Sequence, residues 1–508
     1  MVRCMCNGTG FLRMETLMKK IIVTIIASLM LFSGFTTPVY ALSVTQSAAI
    51  QSLLDDACRI SGVPGMSISI LADDEVFYFS SGYADREKGL FASENTLYEL
   101  ASVSKAFTGM GILLMEEQGL LSMTDSIQKY LPWFTLKYQG EPVDMQNLTL
   151  NNFLHHTSGL TNGMHIQNIP QGNTPDMLQK TVEMLVDAEL AFSPGEQYNY
   201  GTVNYDVLGL VIEVVSDQSY EDFMRELVFQ PLGLNQTYVY KEDAGATGQL
   251  AQGYRSSFFM TTPYDAPDYA GNKPAGYIIS CTKDMARWMG IQMGIVQDIP
   301  EIFHKVIEKS HQGDTSVTDI NGMYYAAGWS VNADQTIIEH AGGNPNFATE
   351  VFILPNEHTA LCLLTNGANT NINLVRKVKE ILDGNLPQSY KISGNQLLDI
   401  ALSSVTIVFC LLAVLFFILG LRRKKMDERQ PMTKGRVFLT VICLMFTFAS
   451  FIMCWVSPSL IGYNWSTVLV WQTYSILTAL ISLALLTACI TWFVYARRYN
   501  PITEKSCE

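Results

Sequence analysis

Thr96-Leu97-Tyr98-Glu99-Leu100-Ala101-Ser102-Val103-Ser104-Lys105 sits within Asn95 to Met115, a segment that reads as a loop entering a helix. If Ser102 begins that helix, Lys105 lies one turn on and on the same face. That pairing has a chemical meaning. A serine hydroxyl is a poor nucleophile until a neighbouring base takes its proton. Lysine is such a base only when neutral, and burial beside a helix N-terminus favours the neutral amine, because desolvation and the positive dipole end both oppose an ammonium. The pair alone carries little, since Ser126-Ile127-Gln128-Lys129 repeats it by chance. No Gly-x-Ser-x-Gly, His-Glu-x-x-His, Cys-x-x-Cys or phosphate-binding loop occurs in the sequence, which counts against α/β-hydrolase, zincin and nucleotide-dependent chemistry.

Outward from this segment the chain alternates between strand and helix signals. Residues 44–60 have helical apolar spacing, and Met66–Leu71 with Glu75–Ser80 reads as a two-strand hairpin. Ser193-Pro194-Gly195 is a turn before a helix from about Asn204 to Ser216. Thr336–His340 and Thr349–Leu354 read as strands bracketing a loop, Ala341–Ala348; Thr359–Thr365 is a further strand and Asn371–Leu382 a closing helix. This is an α+β plan: an antiparallel sheet flanked by helices, with a mostly helical subdomain inserted between its terminal parts.

The 508 residues are 48% hydrophobic and only 16% charged, so apolar residues must be concentrated somewhere. They are at the ends. Lys19-Lys20, an apolar run from Ile21 to Phe35 and Val39-Tyr40-Ala41 have the plan of a secretory signal peptide within residues 1–41, cleaved after Ala41, with translation starting at Met1 or Met18. An uncleaved anchor helix is the alternative. Residues 42–390 form the body and 391–399 a linker. Residues 400–421, 437–456 and 476–496 are each long and apolar enough to cross a bilayer. The basic residues of 422–436 and Arg497-Arg498 place that loop and the tail 497–508 in the cytoplasm, while the loop 457–475 carries no charge and falls outside. The expected location is the plasma membrane, with the body extracytoplasmic. With +3 at residues 1–41 and +6 at 422–508, the part between carries −23, which excludes nucleic acid as a partner. Cys58, Cys281 and Cys362 are the only body cysteines, too few for a disulfide framework and with no zinc-site spacing.

Further landmarks follow Ser102 in order: His155-His156-Thr157-Ser158-Gly159-Leu160, then Ser193-Pro194-Gly195 through Tyr200-Gly201-Thr202 to Leu208-Gly209. After these come Pro231-Leu232-Gly233-Leu234, Pro274-Ala275-Gly276 and His340-Ala341-Gly342-Gly343. With the Ser102 segment, this series resembles the serine β-lactamase and DD-peptidase superfamily, in its class C-like branch, over about residues 45–385. The resemblance implies Ser102 as the acylated nucleophile, Lys105 as its proton partner and Tyr200 as a proton shuttle. It implies an oxyanion hole from the backbone N–H groups of Ser102 and Gly343, and substrate contacts from His340, Gly342, Thr202, Glu99 and Asn344. Tyr200 would shuttle protons near neutrality only if cations such as Lys105 or His340 depressed its pKa. His155, His156 and His165 read as structural, and His311-Gln312-Gly313 as a decoy. No cofactor is implied.

Two departures bear on activity. Thr202 stands where the family's second motif usually ends in Asn, and His340 where the third usually begins with Lys. A permanent cation there attracts a free carboxylate, whereas a histidine is mostly neutral above its ordinary pKa of about 6.5. Both favour the branch's esterases, D-amino-acid peptidases and amidases over efficient β-lactamases and strict DD-carboxypeptidases. A secreted body followed by three spans also resembles the layout of prodrug-activating D-amino peptidases, so the expected partners are an acylated peptide or small envelope substrate, and membrane lipid. The alternatives are a cell-wall DD-peptidase, esterase or weak β-lactamase and, from another class, a sensor of β-lactams or wall fragments.

Overall fold

The computed structural model describes residues 18, 20, 42–162, 168–319, 321–368, 373–385, 389–425, 434–460 and 462–495. Residues 1–41 form a unit of their own, in which only Met18 and Lys20 are described, both helical. The expected leader therefore lies outside the described residues, as do most of the 422–436 loop and the tail from 496.

Helix α1, Val44–Ser61, opens the body with a capping box: the Ser43 hydroxyl accepts from the Gln46 N–H while the Gln46 side chain accepts from Ser43. Gly62, at φ 72°, ends it. Strand β1, Gly65–Ala72, pairs antiparallel with β2, Glu75–Asp85, from Gly65↔Gly82 to Ala72↔Glu75. All eight β1 residues are buried, because β1 lies inside the sheet. Strand β3, Leu90–Phe91, finishes that edge, and β4, Tyr98–Glu99, begins the approach to Ser102.

The chain then leaves the large sheet for a mostly helical insertion. Helix α2, Ser104–Glu117, is buried from Ser104 to Met115 and so has no wet face. It packs on α3, Val203–Ser216, itself buried from Val203 to Ile212. A hairpin of β5, Tyr254–Ser257, and β6, Met260–Pro263, follows; then β7, Ile279–Ser280, which pairs with β4, and α4, Thr282–Gln292, which packs against β1. The return to the large sheet runs through β8, Tyr324–Tyr325; β9, Ser330–Val331; β10, Ile338–Gly343; β11, Ala348–Leu354; and β12, Thr359–Thr365. The eight-stranded order is β8-β9-β10-β11-β12-β1-β2-β3, and every neighbouring pair is antiparallel. Helix α5, Leu374–Leu382, packs on α1.

Half of the expected loop Ala341–Ala348 is strand: pairing runs from Ile338↔Ile353 to Gly343↔Ala348, leaving residues 344–347 as the turn. The strand can continue because Gly342 has no side chain to obstruct its approach to the Ser102 segment. The expected linker 391–399 is also shorter, since helix α6, Gly394–Lys425, begins inside it. Helices α7, Lys434–Leu460, and α9, Ser475–Tyr495, follow, with a short α8, Trp465–Trp471, in the segment read as a loop. Asn464 caps α8 by accepting from the Thr467 N–H.

Helices α6, α7 and α9 are long and apolar enough to cross a membrane. They pack through small and hydroxyl residues: Thr447 bonds Thr491 and Ser450 bonds Thr487, each at 2.9 Å, while Gly420 admits the Trp492 indole. A polar latch joins them to the body. The Arg255 guanidinium donates to the carbonyls of Leu469 (2.8 Å) and Val470, and lies 3.7 Å and 4.7 Å from the ring centres of Tyr264 and Tyr474. Asp399 accepts from the N–H groups of Phe258 and Phe259, both at 3.3 Å, and from the Thr473 hydroxyl.

Candidate active site

The Ser102 segment is held from both sides. Glu99 and Tyr98 pair with Ile279 and Ser280, the Leu100 N–H donates to the Ile278 carbonyl at 2.7 Å, and the Ser104 hydroxyl accepts from the Ile278 N–H at 3.0 Å. Ala101 adopts φ 46°, a left-handed conformation that costs a non-glycine residue energy and is kept only by such surroundings. A short 3-10 turn, Ala101–Val103, leads into α2. Between Thr96 and Met115, Ser102 alone is not buried. The fold has turned one hydroxyl outward from an otherwise enclosed segment.

Lys105 is fully buried, and its Nζ donates to Ser102 Oγ (3.3 Å), Thr202 Oγ1 (3.1 Å) and the Ala275 carbonyl (2.7 Å). Burial pulls its pKa down from 10.5 to about 7, against the opposing field of Asp206. Asp206 is itself fully buried and pushed well above the usual carboxylate range by desolvation, although Asn272 donates to it at 2.6 Å. The two groups titrate as a pair, each favouring the other's charged form while burial favours neutrality for both. Sequence reasoning missed Asp206. A lone carboxylate in the otherwise apolar Val207–Ile212 neighbourhood was the available signal.

Tyr200 is half-buried, but its hydroxyl is enclosed and has no hydrogen-bond partner among the described residues. Burial raises its pKa and Ser102 is the neighbour that most offsets this, so the two hydroxyls lie close without a formed bond. Lys105 Nζ stands 5.0 Å from the ring centre. The depression of the Tyr200 pKa by cations that shuttling near neutrality would need is absent: desolvation raises it, and His340 supplies no charge. His340 is buried with Nδ1 at 2.7 Å from the Ala341 carbonyl, so Nδ1 carries the proton, and Nε2 accepts from the Tyr325 hydroxyl at 3.0 Å. Burial, reinforced by Lys105, lowers its pKa to about 3.

Gly342 has a steric reason. A Cβ there would lie 2.7 Å from the Leu100 carbonyl oxygen and 2.8 Å from the Ser102 nitrogen, so only glycine lets β10 lie against the Ser102 peptide. At Gly343 a Cβ would meet no atom of the described residues within 4 Å, which marks the open side. Asn344 and Glu99 differ from expectation. Asn344 Nδ2 donates to Glu99 Oε2 at 2.6 Å and to the Gly276 carbonyl at 3.0 Å, and both residues are buried. They clamp the end of β10 to β4 and are spent on positioning. Thr202 accepts from Lys105, leaving its hydroxyl proton free to donate outward.

The histidines of the 155–160 segment are scaffolding. His156, at φ 57°, accepts at Nδ1 from the Gly201 N–H (3.3 Å) and the Asn204 amide (2.9 Å), and its ring centre lies 4.4 Å from those of Tyr200 and Tyr325. His155 Nδ1 donates to the Tyr325 carbonyl at 2.7 Å. Asn162 completes the support, accepting from the Thr202 N–H at 2.7 Å while its own N–H donates to the Tyr200 carbonyl at 3.2 Å. His165 lies outside the described residues. His311 is buried against Gln292 (2.7 Å), and Ser126 caps a turn while Lys129 pairs with Asp125 on the surface, so neither decoy enters the site.

A half-buried serine beside a buried lysine of lowered pKa, with a tyrosine close to both, is the equipment of a serine hydrolase. The chain belongs to the beta-lactamase family, whose model matches residues 49–384. Among curated relatives, protein flp of Staphylococcus aureus strain MW2 is 29% identical over 451 residues, covering 85% of this chain and 87% of its own. That match is longer than residues 1–390 and so reaches the C-terminal helices. Penicillin-binding protein 4* of Bacillus subtilis is 28% identical over 335 residues, covering 62% and 71%. In fold, the chain is similar to an octameric penicillin-binding protein homologue from Pyrococcus abyssi (TM-score 0.57, 24% identity, 67% of this chain and 78% of that one). It is also similar to D-alanine carboxypeptidase AmpC from Burkholderia cenocepacia (TM-score 0.56, 22% identity, 67% and 99%).

Proposed function

We propose that this protein is a membrane-anchored extracytoplasmic hydrolase that cleaves an amide or ester next to a D-amino acid, an N-acyl-D-amino peptidase of the prodrug-activating type. Ser102 Oγ attacks the carbonyl while its proton passes to the neutral amine of Lys105. The N–H groups of Ser102 and Gly343 stabilise the oxyanion, donors worth about 3–4 kcal/mol each in comparable sites. The bond to the leaving group breaks as Tyr200, still a phenol at neutral pH, delivers a proton to it and takes one from the Lys105 ammonium, which returns to the neutral amine. Water then hydrolyses the Ser102 ester and restores both hydroxyl and base.

The observation that carries this reading is the state of His340. At the position where a cation would seize a free carboxylate stands an imidazole with a pKa of about 3, held neutral by burial and by Lys105, with Nδ1–H on the Ala341 carbonyl and Nε2 accepting from Tyr325. A substrate blocked at that end, an amide or ester within a longer molecule, loses nothing there. The basic loops after α6 and α9 support an external body through the positive-inside rule.

The test uses the full chain in detergent, wild type and Ser102→Ala. Its substrates are an N-myristoyl-D-asparaginyl amide, a chromogenic cephalosporin and an acyl-D-Ala-D-Ala peptide. Turnover of the D-asparaginyl amide alone, lost in the mutant, is the expected result. Turnover of only the cephalosporin or the D-Ala-D-Ala peptide would overturn the reading, as would stable acylation without release, the behaviour of a sensor.

A further inference from the structure

Helices α6 and α9 pack closely against each other, and with α8 they leave a space beside the catalytic body. They enclose a cavity of about 640 Å³, lined by Leu402, Val405 and Phe409 of α6 and by Ala479 and Leu483 of α9. Its polar member from the catalytic body is Asn162, the residue that accepts from the Thr202 N–H, while Thr202 in turn holds Lys105 beside Ser102. A small neighbouring cleft shares Leu398, Trp471 and Gln472 with this cavity and is bounded by Pro345, the residue after Asn344. The α8–α9 connection thus runs between two residues that flank the Ser102 site. The latch of Arg255 and Asp399 fixes it there.

We infer that this cavity holds the acyl chain of the substrate. Its volume falls within the roughly 300–1,000 Å³ of ordinary ligand sites, and its walls are mostly apolar, with Ser457, Tyr463, Thr467 and Gln472 as polar members from the C-terminal segment and Asn162 from the body. Leu402, Val405 and Phe409 follow helical spacing on one face of α6, so the apolar wall runs along a helix long enough to lie in the bilayer. A chain entering from the outer leaflet stays in an apolar medium along this wall and brings its polar end to Asn162. The inference rests on the proposed function for the hydrolysed group and on α6, α7 and α9 crossing the membrane. It adds the place of the tail, which makes the helices part of substrate recognition.

The test compares kcat/KM for N-acetyl- and N-myristoyl-D-asparaginyl amides in full-length protein in nanodiscs, for wild type, Val405→Trp, Ala479→Phe and Phe446→Trp. Phe446 is 66% exposed on α7 and does not line the cavity. The myristoyl preference is expected to be at least tenfold in wild type and Phe446→Trp, and to fall at least fivefold in both cavity variants. In parallel, Ser102→Ala is photolysed with the myristoyl amide carrying a diazirine in its chain, and label is expected on peptides containing 402–409 and 476–483. Label confined to other helix faces, or an unaltered preference in both cavity variants, overturns the inference. So does labelling of the same peptides by a diazirine phospholipid that the myristoyl amide fails to displace, the result of a resident lipid. The labelling needs no turnover, so absence of D-asparaginyl amide hydrolysis would strike the proposed function and leave the cavity to be decided by the label.

Discussion

At the scale of single residues, the site depends on how far burial overrides intrinsic acidity. Lys105 is brought to about 7 by desolvation, so acylation is expected to be lost as pH falls below about 7, where the amine is protonated. Asp206 opposes that shift, and Asp206→Asn removes a charge that favours the ammonium. The acidic limb of the kcat/KM profile is therefore expected to move to lower pH in this variant, read from a stopped-flow profile between pH 5 and 9. An unmoved limb would separate Asp206 from the base. Ser102, Lys105 and Tyr200 were legible because the sequence states them in motifs. Asp206 and Tyr325 were not, because neither carries a local signature. Tyr325 reaches His340 only through the β8–β9–β10 pairing, and it is this contact that fixes the neutral tautomer. Reading His340 as a cation for Tyr200 failed for the same reason, since burial is a property of the fold.

At the scale of elements, β10 is the piece that makes the site. Its register puts Gly342 against the Ser102 peptide, with backbone atoms under 3.0 Å from any added Cβ. Gly342→Ala is expected to push the strand away and to lower kcat/KM by roughly 100-fold or more, the scale of a lost oxyanion donor. Gly343→Ala, facing open space, is expected to melt within about 2 °C of wild type, since it displaces nothing. Paired melting and kinetic measurements separate the two. The strands and helices of the sheet were readable from periodicity, but the end of β10 was not. Ala341-Gly342-Gly343 has the composition of a loop, and only the close approach of another segment gives those glycines a reason to be strand. The β5–β6 turn gives the complementary case. Phe258 and Phe259 occupy φ 54° and 61°, where Asn-Gly would be usual, and Asp399 binds both of their N–H groups.

At the scale of the whole molecule, the C-terminal helices are joined to the catalytic body by Arg255 and Asp399. The Arg255 bonds to two carbonyls at the end of α8 are charge-assisted, each worth about 1.5–3 kcal/mol. Arg255→Ala is expected to increase hydrogen exchange across 465–471 and 254–260 at least tenfold, with exchange in β1 and β12 unchanged. Equal protection in mutant and wild type would mean the latch carries no load. Three apolar runs were plain in the sequence. Their fixed attachment was not, because Arg255 and Asp399 lie far apart in the chain and read singly as surface charges. The role of Ser102 is read most directly by mass spectrometry of full-length protein quenched during turnover of an N-acyl-D-asparaginyl amide. An acyl-D-asparaginyl adduct on the Ser102 peptide is expected, absent in Ser102→Ala together with hydrolysis. Hydrolysis surviving in Ser102→Ala, or an adduct on any other residue, would contradict that role.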